Sequence, residues 1–149
     1  MSAFASCLDK QQELIAIFSS CKNQEEKYEK IIAFGKKLAP MDPSKKNEIY
    51  LVKGCQSLVY LSSSLKEGLM HFEAASDAMI SAGLASLLLF VYNEEPPEVV
   101  LKCPPDYLEK IGIQSSLTPN RANGLYSMHL KMKQDALKLL IEQNQERIA

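Results

Sequence analysis

Apolar side chains near the start of the chain recur with the period of an α-helix. Residues 8–21 are predicted to form a first helix, with Asp9 as its N-cap. Asn23 and Glu26 stand at the spacing of a capping box, which predicts that a second helix begins there. Pro40 cannot continue a helix, so we expect the second helix to end before it.

The hydrophobic period shortens in the middle of the chain. β-Branched, aromatic and aliphatic residues dominate 49–52 and 58–65, which predicts two extended segments. Residues 66–68 supply a turn. After the turn, apolar and polar residues alternate, as in a strand with one buried face; the apolar positions are Met70, Phe72 and Ala74. These segments predict a small antiparallel sheet of three strands.

The rest of the chain is predicted to be helical. The apolar run 78–92, capped by Ser76 or Asp77, should form a central helix because nearly every face of it is apolar. Two proline pairs within 96–105 each open a short helix. Thr118, followed by a proline, marks the N-cap of a long C-terminal helix. The apolar face of that helix comprises Leu125, Met128, Met132, Ala136 and Leu139.

The predicted order is two helices, three consecutive strands and four helices. This order favours an α+β fold, in which a small antiparallel sheet packs against several helices. A chain of 149 residues has the size of one ordinary domain, and it shows no internal repeat. We therefore predict a single domain over 1–149.

Charge and composition narrow the classes of partner. Seventeen basic and 18 acidic residues leave a net charge of −1, so no strong attraction to nucleic acid or to an anionic membrane is expected. The apolar run 78–92 is short for a bilayer span and contains serine and glycine. The N-terminal residues lack the pattern of a secretory signal. We expect a cytoplasmic protein that binds neither membrane nor nucleic acid.

The chain has four cysteines, and one of them stands apart in its setting. No two of the four have the spacing of a redox or zinc pair; they are Cys7, Cys21, Cys55 and Cys103. Cys55 follows Gly54 between two extended stretches, which predicts a turn with an uncrowded sulfur. Gln56 and Ser57 could hold a thiolate by hydrogen bonds. From the residues alone, however, a buried structural cysteine is the commoner outcome.

The sequence does not provide the residues, at the required spacing, for a thiol protease, a metal site or a phosphate-binding loop. A thiol protease needs a base beside the sulfur, and the candidates, His71 and His129, are expected to be ordinary surface or edge histidines. No metal-ligand spacing and no glycine-rich phosphate loop is present, so no metal or cofactor site is predicted. Arg121 falls in the first turn of the C-terminal helix. It either pairs with a carboxylate or meets an anion, such as a thiolate or a partner's acidic group.

Three segments in series resemble the SufE family of sulfur acceptor proteins, which serve cysteine desulfurases in iron–sulfur cluster assembly. They are 52–60 around Gly-Cys-Gln-Ser, 76–84 beginning Ser-Asp-Ala-Met-Ile, and 117–125 reading Leu-Thr-Pro-Asn-Arg-Ala-Asn-Gly-Leu. The resemblance covers about residues 10–140 and implies a SufE/IscU-like fold. Tyr60 stands where the family often has tryptophan, and Ala74 and Ala75 replace a glycine–acid pair.

The resemblance implies a specific role for the Cys55 turn. Cys55 would accept persulfide sulfur from a SufS-like cysteine desulfurase, stimulate that enzyme, and pass sulfur to a SufBCD-like scaffold complex. The pyridoxal phosphate would belong to the desulfurase, so this chain would be an accessory protein rather than a stand-alone enzyme. The residues implied as supporting are Gly54, Gln56, Ser57, Asp77 and Arg121.

Two alternatives of other classes remain open at this point. A scaffold that assembles the cluster itself would need about three ligands converging on iron, and the remaining cysteines show no such spacing. A non-catalytic interaction module would leave Cys55 chemically inert.

Overall fold

Two helices open the fold, and they begin in different ways. In the computed structural model, which describes residues 3–148, α1 spans Ala5–Phe18 and α2 spans Gln24–Gly35. The predicted N-cap of α2 is confirmed: the Asn23 side chain accepts a hydrogen bond from the Glu26 amide at 2.9 Å. The reciprocal bond of a capping box is displaced by one residue, since the Glu26 carboxylate accepts from the Lys22 amide at 3.1 Å. The predicted start of α1 was wrong, since its N-cap is Phe4 and Asp9 lies inside the helix.

The buried face of α1 explains why its start was misplaced. Its buried residues recur with helical spacing from the first turn onward; they are Cys7, Gln11, Leu14 and Phe18. A glutamine at the centre of this face interrupts the apolar pattern, so the predicted start fell three residues after the observed start at Ala5.

The sheet has two strands rather than the predicted three. Strand β1, Val59–Lys66, pairs antiparallel with β2, Leu69–Ser76. Glu67 and Gly68 form the connecting turn, both with positive φ. The burial of Met70, Phe72 and Ala74 confirms the predicted alternation.

The segment expected to be the third strand pairs with the sheet at a single bridge. Leu51 lies opposite Tyr60, and no longer ladder forms there in the described chain. Two hydrogen bonds flank this bridge, from the Val52 amide to the Val59 carbonyl and from the Leu61 amide to the Tyr50 carbonyl. The Tyr50 amide donates to the Asn47 carbonyl in a local turn, so it cannot extend the ladder further.

The central helix α3 spans Met79–Tyr92, and every residue from Gly83 to Leu89 is buried. Its N-cap is Ala78 rather than Ser76 or Asp77. The Ser76 hydroxyl is used to close the end of β2: it donates to the Leu58 carbonyl at 2.8 Å and accepts from the Ala78 amide at 3.2 Å. Helix α3 packs against β2 on one side and against α2 and α1 on others, as its apolar faces predict.

Glycines allow α2 and α3 to approach very closely. A Cβ atom built on Gly83 would lie 2.1 Å from the Ile31 carbonyl oxygen, and one on Gly35 would lie 2.7 Å from the Gly83 amide nitrogen. The backbones of the two helices are therefore in direct contact at this crossing.

Four helices complete the chain. They are α4, Pro97–Lys102; α5, Asp106–Ile111; α6, Ile113–Ser116; and α7, Pro119–Ile148. The sequence did not predict α6, which follows α5 after a single left-handed residue, Gly112. The Thr118 hydroxyl accepts from the Arg121 amide at 3.4 Å, as expected of an N-cap. Within residues 3–148, none of the helices is long and apolar enough to cross a bilayer.

A buried ion pair joins α1 to the loop that follows α3. Lys10 Nζ lies 2.6 Å from Glu95 Oε2, and the Glu95 side chain is 3% exposed. The Ser6 hydroxyl donates to the same carboxylate at 2.9 Å. The Met70 amide donates to the Glu95 carbonyl at 2.8 Å, so this loop is also tied to β2.

His129 differs from its prediction as an ordinary surface or edge histidine. Its ring stacks on Tyr92 with the centroids 5.3 Å apart. Burial, with the nearby Lys133 charge as a smaller cause, lowers the pKa of His129 to about 4. Among the described residues, none provides a hydrogen-bond partner for its Nε2 atom. His129 is therefore a neutral packing residue at physiological pH.

Candidate functional site

Cys55 lies on the turn that links the Leu51 bridge to β1. Gly54 precedes it with φ +97°, a conformation that favours glycine. A Cβ atom on Gly54 would also lie 2.5 Å from Ser127 Oγ on α7. The glycine therefore both shapes the turn and lets it pack closely on α7.

A cavity of about 320 Å³ opens beside Cys55, between the turn, the start of α3 and the first turns of α7. Ile80, Leu84 and Met128 provide its apolar lining, while Asn120 and Arg121 provide polar groups. Met79 also lines the cavity, and it is 64% exposed. The sulfur thus faces a space that connects with solvent and is lined by both apolar and polar side chains.

The Cys55 sulfur is a neutral thiol in its resting state. Sγ lies 3.6 Å from the Gly124 carbonyl oxygen, to which the thiol can donate. Burial raises the pKa of the Cys55 thiol above its ordinary value. A Cβ atom on Gly124 would lie 3.5 Å from Sγ, so the glycine keeps the space next to the sulfur open.

A serine pair attaches the Cys55 turn to α3. Ser57 Oγ and Ser81 Oγ are 2.7 Å apart and form a hydrogen bond. Gln56 is exposed and lines the cavity. In the described structure neither Gln56 nor Ser57 bonds to the sulfur, so the donors expected from the sequence are directed elsewhere.

Arg121 and Asp77 occupy different positions relative to the sulfur. Arg121 lines the Cys55 cavity, and its guanidinium carbon lies 5.9 Å from the centroid of the Tyr28 ring. Within residues 3–148 it forms no ion pair, so the expected carboxylate partner is not found. Asp77 is exposed next to the cavity but does not line it, and its side chain makes no hydrogen bond to another described residue.

The remaining candidate groups lie outside this site. Cys7 and Cys103 are buried and Cys21 is half-buried. Neither His71 nor His129 lines the Cys55 cavity. In the part of the chain that the structure describes, no three metal-binding side chains lie together.

Sequence reasoning missed several residues that build the site. Ser81, Asn120 and Gly124 are far from Cys55 in sequence, and folding brings them to it. All three fall within segments that carry the family resemblance, 76–84 for Ser81 and 117–125 for the other two, which was the available signal. The bond between Ser81 and Ser57 had no separate signal in the sequence.

Comparisons with known proteins show which family the sequence matches. A family model described as SufE, an Fe-S metabolism associated domain, matches residues 12–136. The chain is 33% identical over 132 residues to an uncharacterized SufE-like protein of Synechocystis, covering 89% of this chain and 83% of that protein. It is 35% identical over 134 residues to SufE-like protein 1, chloroplastic/mitochondrial, of Arabidopsis thaliana, and spans 36% of the length of that protein.

A solved structure shows the same fold. The solution structure of a hypothetical protein from Thermus thermophilus superposes with a TM-score of 0.74, covering 89% of this chain and 96% of that one. The two sequences are 23% identical, so the likeness concerns the fold alone.

Proposed function

This chain belongs to the SufE family of Fe–S metabolism domains, and on that basis we propose that Cys55 accepts sulfur from a cysteine desulfurase. The observation that carries the proposal is the half-buried position of Cys55 at a cavity with a partly apolar lining, within the matched domain. A persulfide is easily lost to water-borne reductants, and an apolar surround protects it. The cavity of about 320 Å³ beside the sulfur leaves room for a second sulfur atom.

The transfer follows the mechanism of thiol–disulfide exchange, with a persulfide in place of the disulfide. The Cys55 thiolate attacks the outer sulfur of a persulfide on the desulfurase. A new S–S bond forms on Cys55 as the old bond breaks, and the desulfurase cysteine leaves as a thiolate. No electrons are gained or lost overall. The pyridoxal phosphate that releases sulfur from free cysteine belongs to the desulfurase in this scheme, and this chain supplies the acceptor thiol.

Because the pKa of Cys55 is raised, contact with the partner must promote loss of the thiol proton. A neutral thiol is a poor nucleophile, so the transfer requires a proton to leave Cys55 when the two proteins meet. Arg121, which lines the same cavity without a carboxylate partner, can then stabilise the thiolate or bind an acidic group of the desulfurase. The sulfur is passed onward to a scaffold complex that assembles the cluster. Stimulation of the desulfurase follows because removal of its persulfide frees its cysteine for another turnover.

Intact-mass measurement tests the acceptor role directly. After incubation with a cysteine desulfurase and free cysteine, the protein is expected to gain mass in increments of one sulfur atom. Cys55→Ser should lose this gain, because an alcohol cannot form the persulfide. Cys21→Ser is the matched control: it removes another half-buried thiol and should retain the gain.

Two outcomes would contradict the acceptor role. One is native protein that gains no sulfur while the desulfurase turns over. The other is a gain that persists unchanged in Cys55→Ser. Iron-dependent absorbance from the purified chain would instead favour the scaffold alternative.

The Ser57–Ser81 hydrogen bond is expected to control access to the thiol. A net hydrogen bond contributes about 1 kcal/mol, so Ser81→Ala should increase the population with an open turn by about five-fold. The measurement is the rate at which iodoacetamide alkylates Cys55, followed by mass. Ser64→Ala, at the exposed end of the hairpin, is the control and should react at the native rate. Equal rates in Ser81→Ala and native protein would show that the turn opens independently of this bond.

A further inference from the structure

Two buried thiols outside the Cys55 site lie against one shared side chain. Cys7 on α1 is 0% exposed, and Cys103, the C-cap residue of α4, is 2% exposed. The Gln11 amide nitrogen lies 3.7 Å from Cys7 Sγ and 3.6 Å from Cys103 Sγ. Because one donor contacts both sulfurs and the Cys7 side chain is hydrogen-bonded with that of Cys103, the two thiols are neighbours although they are far apart in the sequence.

The pKa of each thiol depends on its burial and on the neighbouring thiol. Burial, and next the hydrogen bond with the Cys103 side chain, raise the pKa of Cys7 to about 12. Burial also raises the pKa of Cys103. This pocket therefore disfavours a thiolate but accepts neutral, apolar sulfur.

The backbone around the two sulfurs is held in place. Gln11, itself 2% exposed, donates to the Pro104 carbonyl at 3.0 Å and accepts from the Tyr107 amide at 3.3 Å. The Tyr92 hydroxyl donates to the Cys103 carbonyl at 2.7 Å. These bonds fix the backbone next to Cys103 and the one side chain that contacts both sulfurs, so the two thiols are held in the same pocket.

We propose that Cys7 and Cys103 form a reversible disulfide that joins α1 covalently to the end of α4. Neither the sulfur-accepting role of Cys55 nor any residue of its cavity is needed for this proposal. A disulfide is uncharged, and it suits a dry site in which neither sulfur can ionise at low cost.

The oxidant is a disulfide of the glutathione class. One protein thiol, as its thiolate, attacks a sulfur of that disulfide, forms a mixed disulfide and releases one molecule of thiol. The second protein thiol attacks the mixed disulfide, closes the Cys7–Cys103 bond and releases a second thiol. The protein loses two hydrogen atoms and two electrons, and the oxidant gains both.

Access to the sulfurs depends on α1. Both thiols are shielded in the folded chain, so exchange proceeds when the first turn of α1 detaches from α4 and α5. Once formed, the bond closes a loop of roughly 100 residues, which constrains the unfolded chain strongly. We expect the oxidised protein to melt roughly 10 °C above the reduced protein.

The test uses the full chain with Cys21→Ser and Cys55→Ser, which leaves Cys7 and Cys103 as its thiols. The folded protein is equilibrated in buffers of increasing oxidised-to-reduced glutathione ratio. Free thiols are then blocked in denaturant, and the digest is searched for a peptide that links Cys7 to Cys103. Thermal melts are recorded on the same samples with and without dithiothreitol.

The expected result is a linked peptide that appears with the oxidising ratio and a melting temperature that falls when dithiothreitol is added. Two results would overturn the proposal: both thiols remaining free in the folded protein at the most oxidising ratio, or a link that lowers the melting temperature. The native chain with all four cysteines provides a second reading. A link from Cys7 to Cys21 or Cys55 there, in place of Cys103, would also overturn it.

Discussion

Gly83→Ala is expected to lower the free energy of unfolding by about 3 kcal/mol. In an ordinary exposed helix the same change would raise stability by about 1 kcal/mol, because alanine is the better helix former. Here the added methyl carbon would lie 2.1 Å from a backbone carbonyl oxygen, that of Ile31. A carbonyl within a helix cannot rotate aside as a side chain can, so α2 and α3 must separate. The steric cost therefore exceeds the gain in helix propensity.

Urea unfolding followed by circular dichroism measures this effect. With a denaturant slope of about 2 kcal/mol per molar, the midpoint should fall by about 1.5 M. Gly68→Ala is the control, since nothing lies within 4 Å of its added Cβ atom. That control should cost about 1 to 2 kcal/mol, the penalty for alanine at positive φ. A midpoint for Gly83→Ala at or above that of Gly68→Ala would contradict the close contact of α2 with α3.

Lys10→Met should destabilise the fold by about 3 to 5 kcal/mol. Methionine keeps the aliphatic length of lysine but removes its charge, which leaves the Glu95 carboxylate buried without its ion-pair partner. The remaining hydroxyl donor, Ser6, cannot replace a full positive charge. Breaking a buried pair costs more than the pair contributes, because the surviving charge stays out of water.

An exposed ion pair and a double variant make this prediction specific. Lys45→Met removes the partner of Glu73, whose side chain is 43% exposed, and should cost under about 1 kcal/mol. Lys10→Met combined with Glu95→Leu removes both charges and should recover most of the lost stability. Equal urea midpoints for the two single lysine variants would show that Glu95 is solvated.

The sequence predicted the elements whose signals are local. The N-cap at Asn23 and the alternation through Met70, Phe72 and Ala74 depend on neighbours within a few residues, and the structure confirms both. Predictions of secondary structure and capping were wrong where hydrogen bonds to another residue replaced the expected ones. The segment near Tyr50 has strand-forming residues, but its amides bond within a turn. Ser76 has the character of an N-cap, but its hydroxyl bonds to Leu58 across the hairpin.

The candidate site was predictable to a smaller degree. The position of Cys55 on a glycine turn could be inferred from two adjacent residues, and the family resemblance pointed to Arg121 near it. The burial that raises the pKa of Cys55, the bond between Ser57 and Ser81, and the contact with Gly124 are tertiary. No pattern along the chain encodes them separately, since each joins segments far apart in sequence. The roles of Asp77 and Arg121, and the cytoplasmic location, stay predictions.

Helix α7 is anchored at one end, and that end is the one beside the sulfur. Its buried residues lie in the part that lines the cavity and in the two turns after it; they are Gly124, Leu125, Met128, Met132 and Ala136. Beyond Ala136, none of the side chains described up to residue 146 is fully buried. Fraying should therefore begin at the distal end, where local unfolding costs least. With a rise of about 1.5 Å per residue, thermal disorder in the last turns starts more than about 20 Å from Gly124 and leaves the wall of the Cys55 cavity intact.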